Sequence, residues 1–408
     1  MNAYLLSSDL RLTPFGDHPR DAFIAGQTLA AHQATALHQL GLQLVPVPPG
    51  TPVHDPDEHL LVDDCLYFTP ELLQEFISRS RALRRPTWCA LTPGLTTLRA
   101  CVATQGVPIT PERVDYALHY VPPDGGREEP QPVVIAPDRF VRTVPMPRHM
   151  FGSDGYPLPL SERLLIRIAH WTNLLAANQL LLFARGARLQ LLPKRHLLRL
   201  VLRARSVNPW RVLRTLNQVG HGCDIHPTAY VEGSTIGDQV TIGAHSVVRG
   251  SVVGSGSYIG NGAILEVAAV GEGCNIMNGC MVQGAVLYPG SFTMARLISA
   301  SVCGRDSFVG DGVTLTDFRF DGRSIAVQQE GRLVETGNGV VGSCLGHGVY
   351  LGAGSVVAPG RSVPNGLRLA PEGGRVLRSW PRMGAPAGYQ VIGGSSRADQ
   401  TAAASADD

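Results

Sequence analysis

The chain has 408 residues, 44% of them hydrophobic and 17% charged, with a net charge of +2. That length and apolar content suit two or three domains with ample core, and so small a charge excludes a general nucleic-acid role. The longest apolar runs, such as 180–183 and 197–202, are too short or too interrupted by arginine to span a bilayer, and residues 1–10 show no secretory pattern, so the expected location is cytoplasmic.

Residues 1–155 read as an α/β domain. A helix is expected over 26–41, with Thr28 as N-cap, Leu29, Ala36, Leu37 and Leu40 on its apolar side, and Gly41 as its stop. A strand follows at 42–47. The largely apolar stretch 59–68 is expected as one strand carrying Asp63 and Asp64. Thr69-Pro70-Glu71 then opens a helix in the favoured order of cap, first-position proline and first-turn acid, with Leu72, Leu73, Phe76 and Ile77 along one face. Another buried strand is expected at 132–136. This alternation predicts a mostly parallel sheet covered by helices.

Residues 156–219 read as a helical, basic connector. Ser161 is expected to cap a helix in which Leu164, Leu165, Ile168, Trp171, Leu175 and Asn178 recur at helical spacing. From Arg185 to Arg214 there are nine Lys or Arg and no Asp or Glu. Arg199 and Arg203 alternate with Leu200, Val201 and Leu202, as in an amphipathic helix whose cationic stems cover apolar surface. Such a strip suits a phosphate-rich ligand, an anionic membrane surface, an acidic patch on a neighbouring subunit, or simply a solvated face.

Glycine then changes the character of the chain, with 11 of 46 before residue 219 and 35 after it. Over 220–375 one aliphatic residue recurs every six positions: Ile236, Ile242 and Val248; Val253, Ile259 and Leu265; Val270, Ile276 and Val282; Leu345, Leu351, Val357 and Val363. An aliphatic followed by a small residue at this period predicts an all-β, left-handed parallel β-helix with one aliphatic per hexad pointing inward. Its rhythm breaks at 318–338, an insertion expected to protrude as a loop or hairpin and to help build a ligand site. The extension 376–408 ends in a polar tail expected to be disordered. Eight scattered cysteines, without CxxC or zinc spacing, read as buried thiols.

Several stretches carry a resemblance. Thr316-Asp317-Phe318-Arg319-Phe320-Asp321-Gly322, Thr336-Gly337, the hexads from Leu345 and the joint His170-Trp171-Thr172-Asn173-Leu174-Leu175-Ala176-Ala177-Asn178 resemble the bifunctional sugar-1-phosphate nucleotidylyltransferase/acetyltransferases, whose C-terminal β-helix belongs to the hexapeptide-repeat acyltransferases. The resemblance implies a degenerate nucleotidyltransferase-like sheet in the N-terminal domain. It also implies acetyl-CoA or another acyl-CoA as co-substrate, a sugar or sugar nucleotide as substrate, and a homotrimer.

Both of the family's sites are altered. The triphosphate loop needs glycines whose amides cradle phosphate, followed by Arg and Lys. Here Leu5-Leu6-Ser7-Ser8-Asp9-Leu10-Arg11-Leu12-Thr13-Pro14 keeps Arg11 and Pro14, but no glycine precedes Gly16 and no Lys precedes Lys194. Asp64 stands where the family holds Mg²⁺, and Mg²⁺ is not expected. In the acetyltransferase half, the position of the general base falls on Met294, that of a Tyr on Leu297, and those of two Asn on Phe308 and Asp317. A thioether accepts no proton at neutral pH. His347, after a glycine on a turn, and His245 in a comparable place are the candidates for a replacement base, against the plain reading of surface histidines. Asp317, Arg319 and Asp321 are the candidate substrate contacts, or a pair that simply holds the insertion. Two functions are left: acyl transfer from a CoA thioester to a sugar or sugar nucleotide, or a catalytically inactive relative that binds a sugar nucleotide or a protein partner as regulator or scaffold.

Overall fold

The computed structural model describes residues 1–126, 128–145, 147–148, 155–190 and 194–371. The N-terminal unit is built on β1 (Asn2–Leu6), the short pair β2 (Phe23–Ile24) and β3 (Gln27–Thr28), α1 (Leu29–Gln39), β4 (Gln43–Val47), β5 (His59–Asp63), β6 (Leu66–Phe68), α2 (Pro70–Leu83), β7 (Thr87–Leu91), α3 (Leu95–Arg99), β8 (Val114–Val121) and β9 (Gln131–Ile135). Its main sheet runs β4-β1-β5-β8-β7-β9. All neighbours are parallel except β8, which is antiparallel to β5 and β7. Thr28 caps α1 through a 3.2 Å bond from the Ala31 N–H to its hydroxyl oxygen. The buried side of α2 (Leu72, Leu73, Phe76, Ile77) packs with Leu60, Val62, Cys89, Leu118 and Ile135 from the sheet.

Two expectations are corrected. Residues 59–68 are not one strand: the Asp63 carboxylate accepts the Cys65 N–H at 2.9 Å, a local turn that ends β5. The chain resumes as β6, antiparallel to β12 (Leu165–Arg167) in a separate two-stranded sheet. The segment after Ser161 is not helical until α4 (Trp171–Gln190). Leu164, Ile166 and Ile168 share one core while Leu165 enters the other, a period of two that belongs to a strand. Before it, β10 (Phe140–Pro145) and β11 (Gly155–Leu160) form an antiparallel ribbon.

After α5 (Lys194–Ala204) and α6 (Pro209–Arg214) the chain winds into a left-handed parallel β-helix. Its first face runs from Gln218–Val219 to Ser362–Val363, its second from Asp224–Ile225 to Arg368–Leu369, and its third from Tyr230–Glu232 to Val356–Val357. The aliphatics of the six-residue rhythm form the inner columns: Ile236, Ile242, Val248, Val253, Ile259, Leu265, Val270, Ile276, Val282, Leu345 and Leu351 are all buried. Close stacking excludes side chains at the corners: a Cβ on Gly260 would lie 2.6 Å from the Asn278 backbone nitrogen. Most turns of the coil advance 17 residues (Ile236 pairs with Val253, Val253 with Val270, Val270 with Leu287), and only the late turn from Leu345 to Val363 advances 18. The shortened corner between the third and first faces is made by one left-handed residue: Gly233, Gly250, Val267, Gly284 and Ala300 have φ between 41° and 56°.

The first face is covered by the chain's own N-terminal half. Its outward residues Ala269, Val286, Val302 and Cys344 are buried in one cluster with Trp171, Leu174 and Leu180 of α4 and with Leu12, Phe15 and Ile24. The insertion forms a hairpin (Ala326–Gln329 with Arg332–Glu335), but it does not protrude freely. Ile325 and Val327 are buried in that same cluster, and the Gln329 amide reaches the Thr104 carbonyl at 3.1 Å. The expected disordered tail and the rest of 376–408 lie outside the described residues. No helix among the described residues is long and apolar enough to cross a membrane.

A crevice between the two units as candidate functional site

The ribbon β10–β11, helix α4 and the edge of the coil's third face border a crevice made of two adjoining hollows that share Leu158 and Phe183 as wall. Its narrow end, of about 180 Å³, is lined by Arg99, Tyr156, Ser299, Asp317 and Asn338, among others. Its wide end, of about 650 Å³, is lined by Arg142, Arg185, Glu232 and Arg249 with apolar walls that include Val144, Leu160, Leu182, Leu213 and Leu216. A hollow of this size, mostly apolar with a few converging polar groups, has the make-up of a small-molecule site.

The polar groups are held in place from behind. The Arg99 guanidinium lies 3.8 Å from the centre of the Tyr156 ring and donates to Asn338 Oδ1 at 2.6 Å and to the Pro157 carbonyl at 3.1 Å. Burial lowers the pKa of Arg99, while burial pushes the Tyr156 hydroxyl up to about 12, so Tyr156 remains a hydrogen-bond donor, to Asn338 Oδ1 at 3.0 Å. Ser299 donates to Asp317 at 2.6 Å. At the wide end Arg249 bridges Glu232 (3.0 Å) and Glu266 (3.1 Å), and the buried Glu232 also accepts the Tyr230 hydroxyl at 2.8 Å. These three charged residues stand 17 apart, one coil turn each, on a single outward ladder. The wall also holds Val267 at φ 51°, where the equivalent corners carry glycine or alanine. A β-branched residue in the left-handed region is strained, and such strain concentrates at ligand sites. Arg142, Arg185 and Arg249 bring guanidinium donors suited to an anion to the wide end, where Glu232 and Glu266 offset the charge of Arg249.

The candidate residues are divided among four places. Asp317 lines the crevice, and Asn338 at the end of the insertion joins it. Arg319 and Asp321 lie outside it, exposed and paired with each other, and the hydrogen bonds from Arg319 hold the Asp321 carboxyl down at about 2. His245 is exposed on a corner with φ 57°. His347 faces the N-terminal loop and not the insertion. Its Nδ1 accepts the Arg305 N–H at 2.8 Å, so its Nε2 carries the proton and donates to Asp17 at 3.0 Å. The ring packs on Phe15 and Tyr288. Arg305 also binds Asp17 at 2.7 Å, and the Asn365 amide holds the Phe15 carbonyl at 2.7 Å. Burial raises the pKa of Asp17, but the bonds from His347 and Arg305 outweigh it and hold the carboxyl below its ordinary range. The sequence reading missed Arg99, Arg142, Tyr156 and Arg249; only the spacing of Glu232, Arg249 and Glu266 by one coil turn was there to be seen.

The other places named by the resemblance are occupied by different chemistry. Met294 and Leu297 are half-buried, and Phe308 stacks between Phe292 (5.5 Å) and Tyr350 (5.6 Å) on the second face. Asp64 is buried, accepts the Ser8 N–H at 3.2 Å and has His18 Nε2 at 3.4 Å. Asp63, Asp64 and Cys65 cluster within 4.8 Å. Burial raises the Cys65 pKa, so the sulfur of this set is a thiol, and the Asp63 carboxylate is engaged by Arg167 at 3.3 Å.

Residues 205–292 match the family model described as the GMPPB C-terminal domain. No curated protein matches the chain. Among solved structures it is similar to the acetyltransferase domain of PglB from Neisseria gonorrhoeae FA1090, with 18% identity over 36% of this chain and 54% of that one, at a TM-score of 0.15. It is also similar to a variant of GDP-perosamine N-acetyltransferase from Caulobacter crescentus in complex with CoA and GDP-perosamine, with 18% identity over 38% of this chain and 53% of that one, at a TM-score of 0.15. The chain spans about half the length of these two structures. In its coil, the protein resembles the β-helical domain of the sugar nucleotidylyltransferases.

Proposed function

We propose that this chain binds a nucleotide sugar in the crevice and acts as a non-catalytic regulator or scaffold in sugar-nucleotide metabolism. The observation that carries this reading is the pairing of an arginine-lined crevice with a histidine whose lone pair is taken by the Arg305 N–H. Guanidinium groups match the oxygens of a diphosphate bidentately, and Phe183 with the leucines supplies apolar wall for a base or a sugar face. The loop that the resemblance assigns to a triphosphate carries Phe15 and Asp17 onto the coil and is spent on holding the two units together.

Acyl transfer from a CoA thioester is the second reading, and one observation favours it. Asp17 orients the imidazole of His347 as a carboxylate orients a general base, and release of the Arg305 N–H would free Nδ1 to take a proton from an acceptor hydroxyl or amine. Calorimetry with a panel of nucleotide sugars, run beside thiol release from acetyl-CoA with the same panel, separates the two. Binding without thiol release supports the first reading. Turnover that is lost in His347→Ala while nucleotide-sugar binding persists establishes the second, and absence of both binding and turnover removes both.

A further inference from the structure

Among the described residues, no side chain of α5 or α6 belongs to a buried core, and α6 meets the coil only along one side, where the Leu213 carbonyl accepts the Gly233 N–H at 3.3 Å and Arg249 lies 5.6 Å from the Trp210 ring. Among the described side chains of α5 none is fully buried, although Leu198, Leu200, Val201 and Leu202 recur along it. Leu198 and Leu202 are 59% and 67% exposed, and beyond them Val207 is 87% and Trp210 53% exposed. Arg195, Arg199 and Arg203, at successive intervals of four, form one cationic stripe beside the leucines, and Arg205 and Arg211 continue the charge. Among the described residues no ion pair joins any of these five arginines to an acid, and no acid occurs between 185 and 214. A helix that packed on its own protein would hide its leucines, and one that only faced water would not carry them.

We propose that α5 and α6 dock this protein on the surface of an anionic lipid bilayer. Leucines, a valine and a tryptophan offer apolar groups to the boundary between headgroups and acyl chains, while the unpaired arginines meet the negative headgroups. An 11-residue helix is about 16 Å long, too short to cross a bilayer and suited to lying in its surface plane. Charge alone would equally suit a nucleic acid, but the exposed leucines and Trp210 have no counterpart on a phosphate backbone. Leu198, Arg199, Leu202 and Arg203 of α5 do not line the crevice, so their docking does not depend on what it holds, although Leu213 of α6 forms part of its wall.

The test is flotation of the full chain with vesicles of phosphatidylcholine alone and with about a third phosphatidylglycerol. Docking predicts recovery with the anionic vesicles, roughly tenfold less with the neutral ones, and release in high salt, where headgroup attraction is screened. Leu198→Gln/Leu202→Gln and, separately, Arg199→Gln/Arg203→Gln should each abolish recovery while leaving far-ultraviolet circular dichroism and mass by light scattering unchanged. Absence of flotation, equal recovery with both vesicles, or undiminished recovery of both variants would overturn the proposal. So would a fall in oligomer mass in the leucine variant, which would assign this face to a second copy of the chain.

Discussion

His347 has its protonated nitrogen on a carboxylate and its lone pair on a backbone N–H, so at rest it is a clamp. Its partner Asp17 lies 330 residues away in sequence, which is why a turn histidine beside a glycine was legible and its occupation was not. Replacing Asp17 with Asn should destabilise the protein by about 1–2 kcal/mol near neutral pH, the scale of charge-assisted bonds lost at a partly buried carboxylate. Because its carboxyl is held below the ordinary value, this contribution is complete above about pH 4 and disappears as pH falls further. Urea midpoints of wild type and Asp17→Asn should therefore converge in acid; a constant gap across the titration would show that the carboxylate charge is not what matters. In the crevice, Arg142→Ala should weaken ligand binding about tenfold with little change in stability, since Arg142 is exposed. Arg249→Ala should weaken binding and also destabilise, because it strands the buried Glu232. Calorimetry and a melting curve on each variant check the split.

At the scale of elements, the coil was the most legible part of the chain, because an inward aliphatic every six residues is a local pattern that the stacking geometry demands. The 17-residue turn was partly written there too, in the five-residue step from Val248 to Val253, but the left-handed corner that absorbs the missing residue shows only in the backbone. The first half of the helix expected after Ser161 failed for a physical reason, although Trp171, Leu175 and Asn178 do lie on α4: apolar residues on two sides of a strand between two cores imitate helical spacing. Two elements of the crevice, β10 and β11, gave little signal, since alternation is weak where proline and exposed residues intervene. The hairpin was legible as an insertion, whereas its docking depended on distant partners. Ile325→Ala should cost about 2–4 kcal/mol, the penalty of emptying a buried aliphatic site, because Ile325 belongs to the core shared with Trp171. If the denaturation midpoint hardly moves, the hairpin is an appendage and not part of that core.

At the scale of the whole molecule, the coil's first face is covered by its own chain, while among the described residues its third face meets the rest of the chain mainly at its first turn, where Arg214 lies over Tyr230. The third face carries an outward column in register, Tyr230, Val247, Ile264, Met281, Leu297, Thr314 and Val356. An apolar stripe of this length along a flat face supports self-association, and a trimer is the expected mass in light scattering. Ile264→Glu/Met281→Glu should dissociate it; a wild-type monomer would remove the expectation.

A single core runs from Leu12 and Trp171 to Ile325 and Cys344. Stacked repeats commonly fray from an end, because each turn touches only its neighbours. Here α4, the N-terminal loop and the hairpin fasten successive turns from Val252 to Cys344 to the same body, so those turns should melt with the α/β unit as one block. Hydrogen exchange should then show a plateau of equal protection across that block and a graded decline over the last turn, from Tyr350 onward, where the inner Val357 and Leu369 are already partly open to water. In this protein the repeat architecture would unfold as a globular one.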